Sequence, residues 1–195
     1  MAGLENDAWR RRLRMERICE GDRINRKVLR RERLFRLAKP YLEKNDLGVS
    51  HTERVLSIAV KNFTIPNELD EVVFASIILH DVGGSDVKDQ YERGPEIAKH
   101  LLRQLDYDEV TIREVCEIIR THHNHPKNPT EAFRILHDSD KLAMLSPEEF
   151  SRYNSRPGFR WSKVLDSMYT ERAKSLAQKL LHRRMAEVDE VNAEP

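Results

Sequence analysis

Apolar residues recur at three- and four-residue spacing along most of the chain, and no stretch alternates apolar and polar like a half-buried strand. A chain of 195 residues with this periodicity must bury helical stripes against one another, so an all-α helical bundle is expected. The charged fraction, 34%, suits the solvated outer faces of such helices. Two arginine-rich helices are expected at roughly 8–20 and 24–39, split at Gly21–Asp22, with Pro40 as the next break. Ser50-His51-Thr52-Glu53 has the form of a capping box and predicts a helix from His51. Pro66-Asn67 opens a helix through Val72, Val73 and Ile77 to His80, stopped at Gly83–Gly84. Further helices are expected from Gly94–Pro95 to about Leu105, over about 108–122, and from Asn128–Pro129 to about Leu145. Ser146-Pro147-Glu148-Glu149 caps a short element, Asn154 to Gly158 reads as loop, and 161–187 reads as one long closing helix. On this reading 1–39 is a basic helical extension and 40–195 the main domain.

Charge separates the same two parts. The net charge of +1 gives the whole protein no strong pull toward nucleic acid or membrane. Residues 1–39, however, carry 13 Lys and Arg against 6 Asp and Glu, a local excess of +7 that leaves about −6 on the remainder. The arginines alternate with Trp9, Leu13, Ile18, Val28, Leu34 and Phe35, which is amphipathic spacing for packing. The reading therefore favours contact with the chain's own domain, or a homodimer through the N-terminal helices, over nucleic acid. Cys19 and Cys116 form no spaced pattern, and Cys116 reads as a buried free thiol, pointing to a reducing cytoplasm. Val72 to Leu79, the longest nearly apolar run, is far short of the ~20 residues of a membrane helix. The N-terminus lacks the apolar core of a signal peptide.

Chemistry concentrates in HTERV at 51–55, LHD at 79–81, THHNH at 121–125 and LHDSDKL at 136–142. Imidazoles and carboxylates together suit one divalent ion of the Mn, Fe, Co, Ni, Zn or Mg type, with positions left for water and substrate. His80 and Asp81 precede two glycines at a helix end, where neighbouring side chains can converge. Asp138 and Asp140 lie about 200° apart on a helix, so only one of them can face a given ion. His122 and His123 pose the same choice. His100, His125, His137 and His182 are read as ordinary core or surface histidines.

A histidine, a His-Asp pair about 30 residues on and an aspartate about 60 further, each in an apolar helical setting, resemble the HD-domain superfamily of metal-dependent phosphohydrolases over about 40–145. The resemblance implies a helical bundle of the HD-domain type and His51, His80, Asp81 and Asp140 as metal ligands. Asp140 is preferred to Asp138 because the family's last aspartate directly precedes a basic residue, here Lys141. It also implies hydrolysis of a phosphate ester or anhydride of a nucleotide or other small phosphorylated metabolite, with Asp81 orienting or deprotonating the attacking water. Arg54, one helical turn beyond His51, and His122, His123 and Lys141 are the candidates to face substrate phosphate. Two departures stand out. Gly84 occupies the place where nucleotidase-like members carry a Glu, and the Gln90-Tyr91-Glu92-Arg93 run lacks the extra histidine of two-metal members. One ion is therefore expected, with room for a second. A di-iron oxygenase on the same scaffold, and a nucleic-acid or regulatory binding module using the basic N-terminus, are the alternative functions.

Overall fold

In the computed structural model, which describes residues 25–193, the chain is a succession of helices. They are α1 (25–42), α2 (Gly48–Asn62), α3 (Asp70–Leu79), α4 (Val87–Glu92), α5 (Gly94–Arg103), α6 (Glu109–Thr121), α7 (Glu131–Ala143), α8 (Pro147–Asn154), α9 (Trp161–Ser167) and α10 (Glu171–Ala193). No strand occurs among the described residues. The expected helix at 8–20 and the break at Gly21–Asp22 lie outside them. No helix among the described residues is long and apolar enough to cross a membrane.

The centre is α3, which is apolar all round and buries Val72, Val73, Ala75, Ile77, Ile78 and Leu79. A helix of that kind must be enclosed, and α2, α6 and α7 pack on it. One stripe of α6, Ile112, Val115, Cys116 and Ile119, faces inward, and the Cys116 thiol donates to the Pro95 carbonyl at 3.3 Å. On α7 both faces are covered. Phe133, Ile135 and Leu136 join the α3 core, while Leu142 joins a second core with Phe150, Val164, Met168, Ala173 and Ala177 of α8–α10. Each of the larger of these side chains contributes about 1.5–3 kcal/mol on burial. The consequence for function is positional: α3 delivers His80 and Asp81, its two residues past the last turn, to the middle of the molecule.

Four local expectations change. The first helix does not break at Pro40. It continues to residue 42 because Leu34, Ala38 and Leu42 are fully buried on either side, and the Glu43 N–H still donates to the Lys39 carbonyl at 2.9 Å. α2 begins at Gly48, not at His51. The Ser50 hydroxyl donates back to the Leu47 carbonyl at 3.1 Å, so Ser50 makes no capping bond to Glu53. The closing helix is two helices, because the Asp138 carboxylate accepts from the Tyr169 and Thr170 N–H groups at 2.8 and 2.9 Å and from the Thr170 hydroxyl at 2.6 Å. Those bonds turn the chain at Tyr169 and Thr170, and the Thr170 hydroxyl oxygen then accepts the Ala173 N–H at 3.2 Å as the N-cap of α10. Finally, α4 is an additional helix, capped by the Asp86 side chain. A Cβ on Gly83 would lie 2.6 Å from Gln90 Cα, so only glycine lets α4 lie this close to the end of α3.

Candidate metal centre

The site is assembled from the first turn of α2, the end of α3, the end of α6 and the last turn of α7. His80 continues α3 in helical geometry, and its Nδ1 donates to the Ile77 carbonyl at 2.8 Å. A carbonyl only accepts, so Nδ1 carries the proton and Nε2 presents a lone pair. His122, at the end of α6, repeats the device, with Nδ1 2.6 Å from the Ile119 carbonyl. His51 is anchored by a carboxylate instead: Nδ1 lies 3.0 Å from Glu149 Oε1. Anchoring of one ring nitrogen so that the other is aimed is how metal-binding histidines are oriented.

The aimed atoms converge. His51 Nε2 is 3.3 Å from His80 Nε2, 3.1 Å from Asp140 Oδ1 and 3.8 Å from Asp81 Oδ2, and His80 Nε2 is 3.4 Å from Asp81 Oδ2. Around the other oxygen of Asp81 lies a second group, with His122 Nε2 3.7 Å from Oδ1 and His123 close enough that the ligand atoms of all three lie within 4.8 Å. Asp138 and Asp140 do point apart. Asp140 enters this cluster, whereas Asp138 is fully buried against the start of α10.

Electrostatics follow from packing opposite charges in a nearly dry site. Burial alone would lower the His51 pKa, but the Asp140, Glu149 and Asp81 carboxylates outweigh it and lift it to about 10. Burial dominates at His80, which is shifted down. For Asp81 burial acts upward, yet His80, His122 and His51 hold it well below the usual carboxylate range. Asp140 is likewise held low against burial, by Lys141 and His51. The carboxylates are thus ionised and His80 Nε2 is a free acceptor, a group that suits a divalent cation. The fit has an independent mark: His122 Nε2 is buried with no hydrogen-bond partner, a costly arrangement unless something is bound beside it.

Lys141 Nζ donates to Asp140 Oδ2 at 2.9 Å on the rim. His123 lies in the cavity wall, its Nε2 2.5 Å from Gln90 Oε1, and burial followed by the neighbouring His122 lowers its pKa to about 3. Arg54 is placed differently from the sequence expectation. Its Nε donates to Glu149 Oε1 at 2.9 Å, and it does not line the cavity above the cluster, because Glu149 draws it aside. That cavity, about 290 Å³, is walled by His51, Asp81 and Asp140 below and by Lys141, Arg152 and Tyr153 above.

Three residues of the site escaped the sequence reading. Glu149 is 1% exposed and ties α8 to both His51 and Arg54. Gln90 donates to Asp81 Oδ1 at 2.9 Å, and Asn45 donates to the Asp81 carbonyl at 2.5 Å. Only Glu149 had a signal, as the N3 acid of the α8 cap; the polar partners on α4 and after α1 had none.

One family model matches the chain, that of the HD domain, over residues 48–145, just over half of its length. The span opens on the first residue of α2 and closes just past α7, so it contains His51, His80, Asp81, His122, His123 and Asp140. No curated protein and no solved structure matches the chain.

Proposed function

The chain belongs to the HD-domain family, a superfamily of metal-dependent phosphohydrolases, and from that premise we propose that it hydrolyses a phosphate ester or anhydride of a small molecule, in the nucleotide range of size, using a divalent ion held by His51, His80, Asp81 and Asp140. One observation carries this reading: imidazole nitrogens and carboxylate oxygens from three helices meet at 3.1 to 3.8 Å beneath a cavity of about 290 Å³. When bound, the ion supplies Lewis-acid activation of water and of a phosphoryl oxygen.

The chain's own residues supply the rest. Glu149 and the Ile77 carbonyl keep the reactive nitrogens of His51 and His80 pointed inward. Asp81, ionised and steadied by Gln90, orients the attacking water. Lys141, in the cavity wall, faces the phosphoryl oxygens as negative charge grows there, while His123, its Nε2 donating to Gln90, shapes that wall. Arg54 acts one step back, holding Glu149 against His51. Asp81 is common to both ligand groups, so a second ion taken by His122 and His123 would share it with the first.

The test is metal analysis of purified protein followed by a phosphate-release screen with Mn, Co, Ni and Mg over nucleotides and simple phosphate esters. Metal-dependent release that disappears in H80A and D81A is the expected result. Full activity in D81A contradicts the assignment, and iron content with oxygen-dependent turnover would favour the oxygenase reading.

A further inference from the structure

Beside the catalytic cavity lies a second one of about 280 Å³, and the two share His123, Lys141 and Met144 in their walls. They differ in charge. The first contains Asp46, Asp81 and Asp140 with its cations, whereas the second is lined by Lys141, Arg160, Lys163 and His125 without a single carboxylate. Two cations of the first are also spoken for. Lys141 pairs with Asp140, and Arg152 pairs with Asp46 at 2.7 Å. Arg160 and Lys163 have no carboxylate within 4.0 Å among the described residues, and neither does Arg156 on the rim of the first cavity, which lies over the Tyr153 ring.

Arg160 and Lys163 are themselves exposed, but the backbone between them is anchored by aromatic packing. Phe150 stacks on Trp161 at 5.0 Å, Phe159 meets Trp161 edge-on at 4.9 Å, and Trp161 Nε1 donates to the Asn154 side chain at 3.0 Å. Arg160 and Lys163, without a carboxylate partner on a concave, acid-free wall, make a site for an anion. Because Lys141 stands in both walls, an anion held there would belong to the same molecule whose phosphate sits over the metal ligands.

Resting on the phosphohydrolase reading, we propose that the substrate is a small molecule bearing two separate phosphoryl groups, one cleaved at the cluster and one held by Arg160 and Lys163. The test compares calorimetric binding to manganese-loaded protein of two matched pairs, adenosine monophosphate with adenosine 3′,5′-bisphosphate and fructose 6-phosphate with fructose 1,6-bisphosphate. Turnover is followed in parallel. In at least one pair the bisphosphate is expected to bind on the order of tenfold tighter, a gap that shrinks with salt. R160E/K163E, and R160A/K163A in the same direction, should close that gap, while R113E on the outer face of α6 should leave it. No preference in either pair, or a preference that survives R160E/K163E, overturns the proposal. A preference that R160E/K163E removes, with no turnover of any probe, supports the anion site and counts against hydrolysis instead.

Discussion

The two faces of α7 put the same residue type to opposite uses. Asp140 looks toward α2 and α3, where it meets His51, and with the adjacent Lys141 this holds its carboxyl well below the ordinary range. Asp138, two residues earlier, looks toward α10. Burial pushes its pKa up, although the Thr170 and Tyr169 donors pull against it. One carboxylate is kept charged among the candidate metal ligands and the other anchors the segment that leads into α10. The difference comes from what each face is packed against, because two residues on a helix are separated by about 200°.

Substitutions at the two positions should therefore fail in different ways. D140A is expected to lose bound metal and to lower phosphate release on the order of 10³-fold or more while its helical signal persists. Circular dichroism and metal analysis on the same sample check this. D138A should instead cost about 2–4 kcal/mol of stability, since it strips a buried acceptor from two N–H groups and a hydroxyl at the start of α10. Thermal melting would read this as a fall of about 5–15 °C, with metal still bound to the folded fraction. If D138A lost metal while folded, the division of labour on α7 would be wrong.

A smaller effect should come from Glu149, which touches no proposed substrate position. E149A is expected to weaken metal binding about 10–100-fold by freeing the His51 ring, and titration with a metal indicator measures it. R54A should weaken it in the same direction and by less. The smallest effect concerns pH in the chelated protein. His51 is raised to about 10 from 6.5, so its contribution to stability is complete below pH 6.5 and lost as pH climbs through about 10. Asp140, shifted down from 3.8, contributes above that value and loses its contribution as pH falls further. Asp138 has the reverse sign, its ionisation costing stability as pH rises past 3.8. Melting temperatures of the metal-free protein should accordingly decline from pH 7 to pH 10, and in H51A that decline should be reduced.

Much of this was readable in the residue order, for a physical reason. The apolar run of α3 and the stripes of α5 and α6 are local patterns that burial alone selects, and the HD-type motifs sit at the ends those patterns define. The choice of Asp140 needed the resemblance, since helix geometry separates it from Asp138 without saying which turns inward. What could not be read depends on distant partners. The chain breaks at Tyr169 and Thr170 because a carboxylate 31 and 32 residues away takes their N–H groups. Pro40 stays inside a helix because Leu42 and Ala38 are wholly buried. Arg54 shares a helical face with His51, yet it turns to Glu149, 95 residues on. Gln90 reaches Asp81 only because Gly83 admits α4 so near.

The most direct measurement is the divalent metal content per chain of the wild type, D140A and D138N, purified alike and confirmed folded. The expected result is at least one ion per wild-type chain, the same in folded D138N, and none in D140A. Equal metal in D140A and the wild type would contradict the ligand set on which the whole reading rests.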